Sequence, residues 1–184
     1  MPYFALIDTE TNWNNELMSI GTVIADCDTF ELVKVRYHVL VPQYEVGGMF
    51  SAVLFPDNRI KPTLCHRKEA VKDLILLLKE YGVHSVFAYN AAFDRNLLPE
   101  MKVFDWYDIM RIAAYRQYNR KITPCDDCYK TGRLKRDYGV EPMLRRLSGD
   151  DTYFETHNAL YDALDELEIM RLLGYAPDWY IKME

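Results

Sequence analysis

The first forty residues contain three strand-like segments in a row, and this run most limits the folds open to the chain. Residues 3–7 are an apolar run, residues 18–25 are a second, and residues 31–41 alternate apolar with charged side chains. A period of two is typical of a strand with one solvated face, so we expect His38 to face solvent. Residues 26–29 have the composition of a turn. The segment therefore predicts an antiparallel meander.

The pattern then changes to helices that alternate with strands. We interpret residues 42–66 as irregular and predict strands over 83–89 and 102–104, and helices over 69–81, 91–99, 108–118, 141–147 and 159–173. Such alternation implies parallel pairing. The expected fold class is α/β, with a central mixed five-stranded sheet, antiparallel meander first and parallel strands after it, flanked by helices. We expect a single domain over residues 1–184, with a loop insertion at about 121–138 that includes a small hairpin.

Composition excludes several classes of protein. At 49% hydrophobic residues, the 184-residue chain has the composition of a globular protein. Its formal net charge of −6 argues against a broad positive face for long duplex DNA. Four cysteines are too few for a disulfide framework in a chain of this length. No apolar run has the length of a membrane span and no leader pattern is visible, so we expect a cytoplasmic protein with no membrane partner.

Acidic residues follow the predicted strands at two places. Asp8 and Glu10 end the first strand, where side chains two residues apart point the same way. Asp94 falls in the first turn of the helix after strand 83–89, and Asn90 is suited to cap that helix. Taken singly, Asp8 and Glu10 could be a solvated pair, and Asp94 could serve the helix dipole.

A histidine and a further aspartate precede and begin the last long helix. His157 and Asp162 are five residues apart, which would separate them by about 140° on one helix. The spacing therefore predicts His157 in the loop and Asp162 in the first helical turn, with Asn158 or Thr156 as the cap. Considered alone, His157 is interpreted as a surface residue next to a capped helix.

Together these residues favour one shared site. Open α/β sheets place their ligands at strand ends and helix starts. Four carboxylates brought together there repel each other, which raises their pKa values, and Mg²⁺ or Mn²⁺ relieves the repulsion because both prefer oxygen ligands. A neutral histidine beside them can accept a proton from the attacking water. The pattern indicates metal-dependent hydrolysis of a phosphodiester.

The motifs resemble those of a known superfamily. Asp8-Thr-Glu10, Asn90-Ala-Ala-Phe93-Asp94 and His157-Asn-Ala-Leu-Tyr-Asp162 are similar to the three motifs of the DEDDh, or DnaQ-like, 3′–5′ exonucleases. The resemblance extends over roughly residues 3–173. It implies a ribonuclease-H-like fold and two Mg²⁺ or Mn²⁺ ions at Asp8, Glu10, Asp94 and Asp162, with His157 as general base. The implied reaction removes nucleoside 5′-monophosphates from the 3′ ends of single-stranded DNA or RNA.

The resemblance also suggests substrate contacts and partners. Thr9, Thr11, Asn90 and Phe93 would lie along the terminal nucleotide, and several relatives work as homodimers or bound to a polymerase. Arg133 and Arg136 belong to a basic run that also includes Lys135, Arg145 and Arg146. This run is either a phosphate track or a solvated charged face. Tyr89 replaces the histidine that many relatives carry, which bears on substrate preference.

Other interpretations remain open. Cys125-Asp-Asp-Cys128 could be half of a zinc site, but it lacks a second pair nearby, so two free cysteines or a redox pair are favoured. Cys65-His66 would complete a zinc site only if the fold brought it close. A non-catalytic module that binds nucleic acid or protein is a second function class. A hydrolase of small nucleotide-containing molecules is a third, and the acidic net charge favours it.

Overall fold

Six strands form one mixed sheet in the computed structural model, which describes residues 2–56 and 60–183. The strand order is β4-β3-β2-β1-β5-β6. The antiparallel meander comprises β1 (Tyr3–Thr11), β2 (Leu17–Asp26) and β3 (Leu32–Leu40). The parallel additions are β4 (Thr63–Cys65) on β3, β5 (Ser85–Ala88) on β1, and β6 (Asp105–Asp108) on β5.

Helices cover both faces of the sheet. They are α1 (Arg67–Glu80), α2 (Ala92–Leu97), α3 (Met110–Ala113), α4 (Val140–Ser148), α5 (Ala159–Leu173) and α6 (Pro177–Ile181). Single 3₁₀ turns lie at Gln43–Val46, Ser51–Val53 and Pro99–Met101. Among the described residues, no helix is both long and apolar enough to span a membrane.

The alternation of β1 divides the core into two layers. Phe4 and Leu6 pack in one cluster with Leu160 of α5, whereas Ala5 and Ile7 pack in the other, together with the apolar side of α1. All four β1 side chains are fully buried. Because β1 is covered on both faces and paired on both edges, its carboxyl end is a rigid platform for the residues that follow.

The helix ends match their sequence signals. The Asn158 side chain accepts hydrogen bonds from Leu160 N and Tyr161 N, so it caps α5 as predicted. Gly174 ends α5 in the left-handed conformation at φ 71°. Gly82, at φ +63°, follows α1 in the same way.

Three strand and helix predictions were wrong. The sheet has six strands rather than five, because β4 forms inside the segment expected to be irregular; residues 57–59 of that segment lie outside the described residues. The strand predicted at 102–104 occurs instead as β6, and the helix predicted over 108–118 shortens to α3. The expected exposure of His38 was also wrong, since this residue faces α1 and is 1% exposed, with Nε2 at 3.0 Å from Asp73 Oδ2.

Candidate active site

The end of β1 carries the first two acids of the site. Asp8 and Glu10 are two residues apart on this strand, and Asp8 pairs in register with Gly21 of β2. A Cβ atom on Gly21 would lie 2.0 Å from the carbonyl oxygen of Ala159, far inside van der Waals contact. The first turn of α5 therefore rests directly on the strand pair, beside Asp8.

The turn between β5 and α2 presents Asp94. Asp94 lies in the first turn of α2, as predicted, and is 2% exposed. Its Oδ1 accepts a hydrogen bond from Thr9 Oγ1 at 2.6 Å, which ties α2 to β1.

Asn90 does not cap α2, so that prediction was wrong. It adopts a left-handed φ of 64°, and the helix begins after Ala91 without a side-chain cap. The backbone N–H of Asn90 instead donates to Asp108 Oδ1 at 2.9 Å. A carboxylate at the end of the neighbouring strand thus fixes the turn.

The loop before α5 brings in the histidine. His157 has a φ of 55°, and Asp162 lies in the first turn of α5, both as the spacing predicted for loop and helix. A ring nitrogen of His157 and carboxylate oxygens of Glu10 and Asp162 all lie within 4.8 Å of one another. The structure therefore brings the three sequence motifs together at one end of the sheet.

The acids raise each other's pKa values. Burial, with the negative charges of Asp94, Glu166, Asp162 and Glu10, holds the pKa of Asp8 well above its usual range. Burial and the charge of Glu155 raise the pKa of Glu10 to about 8. The pKa of Asp162 is raised by burial and then by Glu155 and Glu10. Burial also raises the pKa of Asp94, although its hydrogen bond from Thr9 opposes this.

A hard divalent cation fits this set of donors. Among the described residues, three buried carboxylate oxygens of the site have no hydrogen-bond partner: Asp8 Oδ2, Asp162 Oδ1 and Glu166 Oε2. Buried polar atoms are rarely left unpaired, and clustered carboxylates are the ligands that Mg²⁺ and Mn²⁺ prefer. We call Asp8, Glu10, Asp94, Asp162 and Glu166 the carboxylate cluster.

Glu166 escaped the sequence analysis although a signal was present. It lies four residues after Asp162 on α5 and hence on the same helical face. It is 1% exposed, and its Oε1 accepts a hydrogen bond from the backbone N–H of Tyr89 at 2.7 Å. Burial and the neighbouring acids raise its pKa well above the usual value. It links the helix of Asp162 to the turn that carries Asp94.

A cleft opens beside Glu10. Its volume is about 210 Å³, and it is lined by Glu10, Thr11, Asn12, Trp13, Asn15, Met49 and Phe50. Trp13 and Met49 are 64% and 69% exposed. The wall holding Met49 and Phe50 follows Gly48, where a Cβ atom would lie 2.8 Å from the carbonyl oxygen of Thr11. No local sequence signal places this loop against β1.

The residues predicted to contact substrate differ in their exposure to solvent. Thr11 lines the cleft, and Phe93 is 48% exposed on α2. Thr9 is buried, and its hydroxyl donates to Asp94. Asn90 is exposed at the start of the α2 turn.

The basic run is largely neutralised. Lys135 pairs with Asp127 at 2.8 Å, Arg145 with Glu141 at 2.9 Å and Arg146 with Asp126 at 2.9 Å. Within the described part of the chain, Arg133 and Arg136 form no ion pair. The Arg133 guanidinium lies over the rings of Tyr129 and Tyr138, at 5.1 and 5.2 Å from their centroids.

The 121–138 insertion contains the small hairpin that was expected. Tyr129 N donates to Arg133 O at 2.8 Å and Gly132 N to Tyr129 O at 2.9 Å. The Tyr89 hydroxyl donates to the carbonyl of Tyr138 and so attaches the end of the insertion to the β5–α2 turn. Cys125 and Cys128 are free thiols, and over residues 2–56 and 60–183 they belong to no group of three metal-ligating side chains.

Comparison with known proteins identifies the fold. No family model matches the sequence, and no curated protein matches it. Exonuclease X, solved in complex with 5′ overhanging duplex DNA, is 21% identical with a TM-score of 0.56, over 98% of each chain. The nuclease domain of 3′hExo, a DEDDh family member solved with rAMP, is 15% identical with a TM-score of 0.63, over 94% of this chain and 93% of its own.

A longer nuclease contains the same fold. E. coli exonuclease I, solved with a dT13 oligonucleotide, is 13% identical with a TM-score of 0.63. That match covers 99% of this chain and 43% of exonuclease I, so the chain spans less than half of that enzyme. The chain therefore shares the fold of these solved nucleases, a mixed ribonuclease-H-like sheet flanked by helices, as predicted from its sequence motifs.

Proposed function

We propose that this protein is a metal-dependent 3′–5′ exonuclease that removes nucleoside 5′-monophosphates from single-stranded DNA or RNA. The observation that carries the proposal is the convergence of Asp8, Glu10, Asp94, Asp162 and His157 at one sheet end, where buried carboxylate oxygens have no partner in the described chain. The fold shared with solved 3′-exonucleases supports it.

Two Mg²⁺ or Mn²⁺ ions would be held by Asp8, Glu10, Asp94 and Asp162. When bound, such ions supply Lewis-acid stabilisation of the charge that develops on phosphate. His157 accepts the proton of the attacking water. Its position fits this role, because its side chain is 42% exposed while a ring nitrogen lies within 4.8 Å of carboxylate oxygens.

The terminal nucleotide would occupy the cleft beside Glu10. The exposed rings of Trp13 and Phe93 are suited to stack on a base, since every base has a flat apolar face. Thr11 follows Glu10 on β1 and lines the same cleft as Trp13. Arg133 and Arg136, which have no carboxylate partner among the described residues, are the candidates for binding the phosphates that follow.

A second candidate is hydrolysis of small nucleotide-containing molecules by the same carboxylates. The neutralised basic run favours it: Lys135, Arg145 and Arg146 already pair with acids, and the chain has a net charge of −6. A long strand gains affinity from unpaired cations along its path, whereas a dinucleotide needs only the cleft.

The test is cleavage of 5′-labelled single-stranded DNA and RNA of graded length with Mg²⁺ or Mn²⁺. A ladder that shortens from the 3′ end, lost with chelator and in Asp8→Asn, supports the exonuclease. Asp178→Asn is the matched control, because Asp178 lies beside Tyr3 at the opposite end of β1. Faster turnover of dinucleotides than of longer strands favours the second candidate, and no cleavage by metal-loaded protein contradicts both.

A further inference from the structure

The imidazole of His157 is contacted from two sides. Phe50 stacks on the ring, with centroids 4.2 Å apart and planes inclined by 21°. Glu155 Oε2 lies 3.9 Å from Nδ1 of the same ring. A partly exposed histidine in a loop would otherwise sample several rotamers, so both contacts narrow its orientation.

Glu155 is itself held in place by neighbouring residues. Its backbone N–H donates to Glu141 Oε2 at 3.0 Å, and Glu141 Oε1 pairs with Arg145 at 2.9 Å. Arg145 Nε donates to the carbonyl of Tyr153 at 2.7 Å. The Glu155 side chain is 15% exposed. The start of α4 therefore fixes the loop that presents Glu155 to the histidine.

On the other side of the His157 ring, the segment that carries Phe50 is held by Asn158. Its side-chain amide donates to the carbonyl of Val53 at 2.7 Å and to the Tyr37 hydroxyl at 2.9 Å. The residue after His157 thus anchors the segment that carries Phe50. This link between distant parts of the chain explains how the aromatic ring reaches the imidazole.

Glu155 lies outside the group of metal-ligating atoms. Over the described residues, the ligand atoms that fall within 4.8 Å of one another come from Glu10, His157 and Asp162. Glu155 contacts Nδ1 of His157 without joining that group. Its carboxylate is therefore placed to contact the histidine.

We propose that Glu155 is a positioning residue that accepts a hydrogen bond from Nδ1–H of His157. The bond partner of one ring nitrogen decides which nitrogen carries the proton. With its proton on Nδ1, His157 has Nε2 free to accept the proton of the attacking water. That last step rests on the proposed function. The distance of 3.9 Å between Nδ1 and Glu155 Oε2 is longer than a hydrogen bond, and catalytic hydrogen bonds often shorten to bonding distance when substrate binds.

The first test reads the tautomer directly and needs no nuclease activity. Ring ¹⁵N shifts of His157 are measured in the full chain with Mg²⁺, at an alkaline pH where an ordinary imidazole is neutral. The chain has four histidines, so His157→Ala identifies the signal. We expect the proton on Nδ1 in the wild type, retention in Glu155→Gln, whose amide oxygen can accept, and a shift toward Nε2–H in Glu155→Ala. A wild-type proton on Nε2 overturns the proposal.

The second test is a double-mutant cycle on oligonucleotide cleavage. At saturating Mg²⁺, Glu155→Ala should lower kcat by about 10- to 100-fold, as for other residues that orient a histidine by hydrogen bonding, with KM nearly unchanged. Added to His157→Ala, it should cause no further loss. Losses that multiply in the double variant overturn the proposal. Glu168→Ala, on the exposed side of α5, is the matched control.

The two arms separate the inference from the proposed function. Wild-type protein that cleaves no nucleic acid contradicts the proposed function, while the tautomer measurement still decides the role of Glu155. Glu155→Gln guards against misfolding, because it keeps the size of the side chain and its capacity to accept.

Discussion

Two polar regions of this protein differ in the charges that surround their acidic residues. In the 121–138 insertion and the adjoining helix α4, acids meet cations: Asp126 pairs with Arg146 and Asp127 with Lys135. In the carboxylate cluster, acids meet other acids, and buried oxygens of Asp8 and Asp162 have no partner among the described residues. The hydrogen bond from Arg146 lowers the pKa of Asp126 to about 2, whereas burial raises the pKa of Glu10 to about 8.

The contrast distinguishes acids that already have a cationic partner from acids that do not. Paired charges at the surface contribute little to stability, and they are neutralised without binding an ion from solution. Unpaired carboxylates in a buried cluster destabilise the fold until a cation or a proton neutralises them. We therefore expect the cluster to bind a cation, whereas Asp126 and Asp127 of the insertion already have cationic partners.

The largest expected effect is that of Asp8→Asn. Removing this carboxylate should abolish tight binding of one ion, and the loss of several kcal/mol of charge stabilisation corresponds to a rate reduction on the order of 1,000-fold or more. Without metal, the variant should be more stable than the wild type, because one repelling charge is gone. Cleavage rates and thermal unfolding with chelator measure both. A variant that is inactive and also less stable without metal would contradict this account of the cluster.

The next effect distinguishes the unpaired from the paired cations. Arg133→Ala with Arg136→Ala should weaken binding of a single-stranded oligonucleotide by about tenfold. The slope of log K against log salt should fall by about 0.7 for each phosphate that the variant no longer neutralises. Lys135→Ala, which removes a paired cation, is the matched control and should change the slope less. Equal slopes for the wild type and the double variant would exclude a role for these arginines in phosphate binding.

Metal-free stability should depend on pH in the opposite sense to that of a salt-bridged carboxylate. The pKa of Glu10 is raised from 4.5 to about 8 in the folded state, so the folded protein binds more protons than the unfolded chain between these values. Stability should therefore fall as pH rises through this window. Mg²⁺ should restore a few °C in Tm, more at pH 8 than at pH 5, because it binds the ionised form. If the Tm measured in the presence of chelator rose with pH across this window, the raised pKa of Glu10 would be refuted.

The smallest effect is expected in the insertion. Arg146→Ala removes the pair with Asp126 and the hydrogen bond to the Lys121 carbonyl. Because both partners are partly solvated, we expect a loss of about 1 kcal/mol or less in the free energy of unfolding and unchanged kcat. Denaturant unfolding and the cleavage assay check this. A large drop in kcat would mean that the insertion supports catalysis directly.

Local signals were sufficient for the helix that carries Asp162. The bounds of α5 match the prediction because Asn158 and Gly174 mark its ends through contacts within a few residues. Glu166 was predictable in the same way, by its helical spacing from Asp162. The placement of Asp8 and Glu10 followed from the period of β1.

Contacts between distant residues explain what the sequence could not show. The three-residue strand β4 exists because β3 offers an edge for pairing, and no periodicity announces it. Asn90 was predicted as a cap, but Asp108 on the neighbouring strand holds its backbone N–H instead. Hydrogen bonds of Asn158 and Glu141 help to hold Phe50 and Glu155 against His157.

Gly21 has a consequence for how activity can disappear during evolution. It bears no chemistry, yet a single methyl group there would collide with Ala159 and push the first turn of α5 off the strand pair. Asp162 would then move away from Asp8 while every motif residue stayed unchanged. A homologue with a larger residue at this position could be catalytically silent despite intact signature motifs, so surveys that infer nuclease activity from the acids alone should also score this glycine.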